Sequence, residues 1–112
     1  LEGAAGNDAL FGGQGADTLR SQEGNDYLEG GAGSDIINAG IGNDLIIGGS
    51  STYLPEGGAD GNDTITAAEG NDIVLGDDAR VLNSSNQAVI SIAQLSTIET
   101  NGGSGADTIF GG

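Results

Sequence analysis

The sequence predicts an all-β solenoid built from stacked coils of eighteen residues. Three observations carry this expectation. A Gly-x-Asp triplet returns every nine residues, as at Gly24–Asp26, Gly33–Asp35 and Gly42–Asp44. An aliphatic residue follows each of those Asp residues by two places: Leu28, Ile37 and Ile46. Glycine is abundant at 23 of 112 residues but keeps no three-residue period, which excludes a collagen-like chain.

Each repeat unit opens on a pair of small residues. Five copies then run without a gap: GAAGNDALF (3–11), GGQGADTLR (12–20), SQEGNDYLE (21–29), GGAGSDIIN (30–38) and AGIGNDLII (39–47). A sixth begins at Gly48-Gly49-Ser50 and resumes as GNDTIT (61–66). The seventh, AAEGNDIVL (67–75), is intact, and an eighth begins at Gly76-Asp77-Asp78 and resumes as GADTIF (105–110). The chain therefore reads as a single module over 1–112, with repeats in 3–50, 61–78 and 102–112 and insertions at 51–60 and 79–101. Leu1-Glu2 and Gly111-Gly112 fit partial units, so a piece of a longer array is expected.

Places seven to nine of each unit read as a short extended segment with one inward residue, the aliphatic eighth: Leu10, Leu19, Leu28, Ile37, Ile46, Ile65, Val74 and Ile109. The six preceding places turn the chain, with glycine supplying positive φ or close backbone approach. Two units make one coil with a strand on each side. The sixth place is always Asp: 8, 17, 26, 35, 44, 63, 72 and 107. Coils stacked at the strand spacing of ~4.8 Å put these carboxylates in ladders along two edges.

Such ladders repel themselves. Like charges that close raise their own pKa values or push the coils apart unless a cation lies between them. One dependable core residue in nine does not offset the ordering of nine. A multivalent cation is the missing contribution, and an all-oxygen ligand set selects a hard ion, Ca²⁺ ahead of Mg²⁺ for its flexible geometry.

Composition excludes several alternatives. The net charge is −15, from 17 acidic and 2 basic residues, which disfavours nucleic acid and anionic membranes as partners. No run of residues is long and apolar enough for a membrane span. Cys and His are both absent, removing disulfides, thiolate or histidine metal sites, and Ser-His-Asp or Cys-His catalysis. DGND at 60–63 lacks the remaining spacing of an EF-hand, and Gly13-x-Gly15 lacks a nucleotide fingerprint. Asn62 and Asn83 match the glycosylation pattern by chance. Arg20 and Arg80 have no partner that the sequence names.

In these eight units the chain resembles the repeats-in-toxin (RTX, haemolysin-type) calcium-binding nonapeptide family. That resemblance implies a parallel β-roll, a right-handed β-helix-like solenoid, whose turns share calcium ions along each edge. It implies that the sixth-place Asp supplies side-chain oxygens and the turns supply main-chain carbonyls. Carried over, one edge holds Asp8, Asp26, Asp44 and Asp72, and the other Asp17, Asp35, Asp63 and Asp107. The carbonyls fall to Gly6, Gly12, Gly13, Gly15, Gly24, Gly30, Gly31, Gly33, Gly40, Gly42, Gly61, Gly70 and Gly105. Pairs Asp8–Asp26, Asp26–Asp44 and Asp17–Asp35 lie within uninterrupted repeats. Asp35–Asp63, Asp44–Asp72 and Asp63–Asp107 require the insertions to leave the roll in register. Ser21-Gln22 and Ala67-Ala68 depart from paired glycines and are expected to weaken adjacent sites. Glu23 and Glu69, at the third place, read as surface charge.

The insertion 51–60, STYLPEGGAD, reads as a surface loop. The insertion after it, rich in Val, Ile and Thr with a turn-like NSSNQ centre, reads as a β-hairpin over 79–100 that covers the roll or contacts another protein. The function expected is a calcium-binding module of a larger secreted bacterial protein, outside the cell or at its surface. Such a module folds on calcium binding and supports type I secretion, joined to the rest of its polypeptide at both ends. The alternative is an adhesive or ligand-binding surface of an extracellular adhesin, which would want a regular outward Thr or Asn ladder. The seventh and ninth columns, read in order, are irregular. An enzyme is not expected, because no base or nucleophile stands apart from the array.

Overall fold

The computed structural model describes residues 1–49 and 61–76, together with three later strands of which only the backbone is described. Short strands follow one another in chain order: β1 Ala9–Gln14, β2 Thr18–Arg20, β3 Tyr27–Ala32, β4 Ile36–Asn38, β5 Leu45–Ile47, β6 Thr64–Thr66 and β7 Ile73–Leu75. After these come β8 Ala79–Leu82, β9 Thr97–Thr100 and β10 Thr108–Phe110. Consecutive units alternate between two parallel sheets, ordered β1-β3-β5-β7 and β10-β6-β4-β2. This is the predicted parallel β-roll. Among the described residues there is no helix at all, so none is long and apolar enough to cross a membrane.

Register follows the eighth place. Leu10 pairs with Leu28, Leu28 with Ile46, and Leu19 with Ile37. The pairing steps over the first insertion without slipping: Ile37 faces Ile65 and Ile46 faces Val74. Strand β10 joins β6 with Ile109 opposite Ile65. A slip of one residue would turn the aliphatic row out of the core, so burial holds the register. That row forms the central core, where Leu19, Leu28, Ile37, Ile46 and Ile65 are fully buried and Leu10 and Val74 flank them.

Three features differ from the sequence reading. Strands β1 and β3 run six residues, into the first three places of the next unit, and isolated bridges tie Ala5 to Glu23, Glu23 to Ile41 and Ile41 to Glu69. Pairing therefore continues through what reads as turn. The other two concern the outward residues. Because successive units go to opposite sheets, the seventh and ninth columns must be read as two lists, and then they sort. The β1-β3-β5-β7 face carries Phe11, Tyr27, Leu45, Ile47, Ile73 and Leu75, and Leu45 and Ile47 are 0% exposed. The opposite face carries Thr18, Arg20, Ile36 and Thr64, all exposed. This sheet is thus buried on both sides at β3 and β5, which contribute more than one core residue each, while Phe11 on β1 stays half exposed. On its outer side Tyr27 donates its hydroxyl to Glu29 Oε2 at 2.8 Å, with its ring 5.5 Å from that of Phe11.

Within the second insertion β8 and β9 pair antiparallel, Ala79 opposite Thr100 and Leu82 opposite Thr97, as a hairpin requires. The loop expected at 51–60 lies outside the described residues.

Candidate metal centre

Each edge of the roll is a stack of six-residue turns. The first edge comprises 3–8, 21–26, 39–44 and 67–72; the second comprises 12–17, 30–35 and the unit that ends at Asp63. The turns stack closely because the fourth place has no side chain. Gly42 has φ +150°, and a Cβ there would overlap the carbonyl oxygen of Gly24. No other residue fits that position.

The stacking lines up the sixth-place carboxylates by one repeated bond. The backbone N–H of Asp8 donates to Oδ1 of Asp26 at 2.8 Å, and Asp26 N–H to Oδ1 of Asp44 at 2.8 Å. Asp44 N–H donates to Oδ1 of Asp72 at 2.9 Å. On the second edge Asp17 N–H donates to Asp35 Oδ1 and Asp35 N–H to Asp63 Oδ1, both at 2.8 Å. The structure therefore brings together Asp8, Asp26, Asp44 and Asp72 on one edge and Asp17, Asp35 and Asp63 on the other, across the insertion as well as within the uninterrupted repeats. Asp107 and Gly105 lie outside the described residues.

One oxygen of Asp26, Asp35 and Asp44 is thus committed to the fold, and the other is not. Oδ2 of Asp17, Asp26, Asp35 and Asp44 is buried with no hydrogen-bond partner. Leaving a charged oxygen buried and unmatched is costly, and four in two rows is not an accident of packing. At the outer coil, Asp8 Oδ2 instead accepts the N–H of Ala4 at 2.9 Å.

On the second edge the space beside these oxygens belongs to the first-place glycines. A Cβ on Gly12 or Gly30 would meet Oδ2 of Asp17 or Asp35 and also the carbonyl oxygen of Gly30 or Gly48. A Cβ on Gly48 would meet Asp63 and the carbonyl of Gly76. On that edge carboxylate and main-chain oxygens therefore converge where only glycine leaves room. No three acidic side chains gather at one point among the described residues, so an ion there takes the rest of its oxygen shell from the backbone. Orphaned carboxylate oxygen plus carbonyl oxygen is a donor set for a hard cation and fits Ca²⁺.

Electrostatics agrees with the geometry. Asp44 is pushed up to about 6, by burial first, with the Asp26 N–H opposing and the charges of Asp26 and Asp72 adding. Asp35 is raised for the same reasons, burial first, with the Asp17 N–H opposing and the Asp17 charge adding. A cation between the coils would remove the strain that both shifts report. Glu23 and Glu69 are exposed, in keeping with surface charge.

Sequence reasoning missed a second ladder. At the fifth place of the first edge, Asn25 N–H donates to Asn7 Oδ1 at 2.8 Å, Asn43 N–H to Asn25 Oδ1 at 2.9 Å and Asn71 N–H to Asn43 Oδ1 at 2.9 Å. These bonds run toward the N-terminal coil, opposite to the Asp bonds. The signal was present: Asn recurs at the fifth place of every first-edge unit. The departures from paired glycines also gain a reason. Ser21, Ala39 and Ala67 all sit at the first place of first-edge units, where their side chains are buried, and Ser21 Oγ donates to the Ala39 carbonyl.

Compared with known families, the RTX calcium-binding nonapeptide repeat matches in four copies, at residues 1–19, 20–52, 58–79 and 101–112. No curated protein and no solved structure matches the chain.

Proposed function

The chain belongs to the RTX calcium-binding nonapeptide repeat family and is a calcium-binding repeat module for several Ca²⁺ ions, and on that premise we propose that it folds when calcium binds, outside the cell, as part of a larger secreted protein. The observation that carries this reading is that Oδ2 of Asp26 and Asp44 on one edge, and of Asp17 and Asp35 on the other, is buried without a hydrogen-bond partner. A roll that must bury those oxygens is destabilised by them until a cation is shared between neighbours. Binding free energy then becomes folding free energy.

The Asp pairs of adjacent coils hold the ions: Asp8–Asp26, Asp26–Asp44 and Asp44–Asp72 on one edge, Asp17–Asp35 and Asp35–Asp63 on the other, with main-chain carbonyls of the glycine turns completing each shell. Calcium supplies positive charge that offsets the ladder. The protein's own contribution is to fix Oδ1 on the neighbouring N–H, so that Oδ2 is oriented before an ion arrives. At the low calcium of a cytoplasm the net charge of −15 keeps the chain expanded. In extracellular calcium it closes, which suits passage through a type I secretion channel before folding.

Far-ultraviolet circular dichroism during a calcium titration, with a chelator control, tests the reading. The expected result is β signal that appears with calcium and disappears with chelator. A folded signal indifferent to chelator would overturn it.

A further inference from the structure

The two edges of the roll are not built alike. Along the first edge each described turn is tied to the next by three backbone N–H bonds, at the fourth, fifth and sixth places. Between the second and third turns of that edge these are Gly24 N–H to the Ile41 carbonyl, Asn43 N–H to Asn25 Oδ1 and Asp26 N–H to Asp44 Oδ1. Along the second edge the fifth place holds Ala16, Ser34 and Asn62. Ala16 has no oxygen to offer the coil above it, and the described bond at that place is Asn62 N–H to Ser34 Oγ at 3.0 Å. The first edge also fills its first places with buried Ser21 and Ala39, which pack and bond to each other, where the second edge has bare glycine.

We propose that Asn7, Asn25 and Asn43 are positioning residues that set the turns of the first edge before an ion arrives, so that this edge takes calcium at lower concentration than the second. The inference rests on the calcium-dependent folding proposed above. The asparagines need not touch the ion. Each holds the backbone N–H between a ladder Asp and its turn glycine, which fixes the peptide group that carries that glycine's carbonyl, one of the turn carbonyls assigned to the shell in the proposed function. A turn already fixed loses less freedom on binding, and that difference appears as affinity. These bonds lie at the exposed edge of the roll, and one of ordinary net strength corresponds to about a fivefold change in calcium midpoint.

The test is a calcium titration of the ¹⁵N-labelled chain followed by nuclear magnetic resonance. Amides of Gly24 and Gly42 report the first edge, and those of Gly15 and Gly33 the second. First-edge amides are expected to reach their bound positions at roughly fivefold lower calcium. Asn43→Ala should abolish most of that lead while leaving the Gly15 and Gly33 midpoints in place, and Asn43→Ser, which copies the Ser34 bond, should restore it. Ala16→Asn should bring the second-edge midpoint down toward the first. Coincident midpoints in the unsubstituted chain, or an Asn43→Ala effect equal on both edges, would overturn the proposal, the latter because it marks a merely structural role. An unsubstituted chain with no response to calcium would sink the parent reading and this one with it, which separates that failure from the other two.

Discussion

Asp26 donates its backbone N–H to Oδ1 of Asp44, eighteen residues away, at 2.8 Å, while Oδ2 of Asp44 lies buried and without a partner. The same carboxylate therefore joins two coils through one oxygen and asks for a cation with the other.

Asp26 stands between two neighbours, Asp8 and Asp44, whereas Asp8 has one neighbour on its edge among the described residues. Asp26→Asn should raise the calcium midpoint for folding more than Asp8→Asn, by about thirtyfold against about fivefold, since each shared ligand set is worth on the order of 1 kcal/mol. Circular dichroism at stepped calcium concentrations measures both. Equal shifts would count against shared ions.

The raised value of Asp44 makes a prediction about acid. In the folded chain it titrates at about 6, against an ordinary 3.8 when unfolded, so the folded form holds the proton more tightly. Its contribution to stability without calcium is thus fully present below about pH 4 and is lost as pH rises through about 6. In chelator, acidification from pH 7 to 4 should increase the folded fraction. With calcium present, protons and calcium compete for the same oxygens, so the calcium midpoint should move upward as pH falls through about 6. A calcium-free chain that loses β signal on mild acidification would contradict this.

Ala68 holds φ +64°, the one non-glycine at positive φ among the described residues. That conformation costs an L-residue roughly 1–2 kcal/mol, part of which glycine gives back as chain entropy. Ala68→Gly should stabilise the calcium-loaded roll by about 0.5–1 kcal/mol, raising its melting temperature by a few degrees. A lowered melting temperature would show that the Ala68 methyl group packs more usefully than its backbone is strained.

Leu45 and Thr64 occupy the same seventh place in opposite sheets. Leu45 is fully buried and Thr64 exposed. Leu45→Ala should cost about 2–5 kcal/mol, and Thr64→Ala within about 0.5 kcal/mol, in chemical denaturation at saturating calcium. Similar small costs would mean that the outer side of the β1-β3-β5-β7 sheet is not a second core.

The sequence by itself determined whatever recurs with the coil. A nine-residue unit whose strands alternate in direction of travel puts odd units on one edge and even units on the other, so the count alone groups Asp8, Asp26 and Asp44. The eighth-place core was legible for the same reason, because one inward residue per strand is a local property of the pleat. The resumption of the repeat at GNDTIT after 51–60 was legible, but whether the coils would pair in register across the insertion was not: the burial of Ile65 against Ile37 and the packing of Val74 beside Ile46 decide that. The Asn ladder was visible as a column, but its role is not in the column, since an amide oxygen bonds whatever N–H the next coil presents. The outer core around Leu45 and Ile47 depends on which sheet each unit joins and on contacts made far away in the chain. Periodicity fixes what each coil repeats; packing between coils fixes which of two chemically similar rows ends up dry.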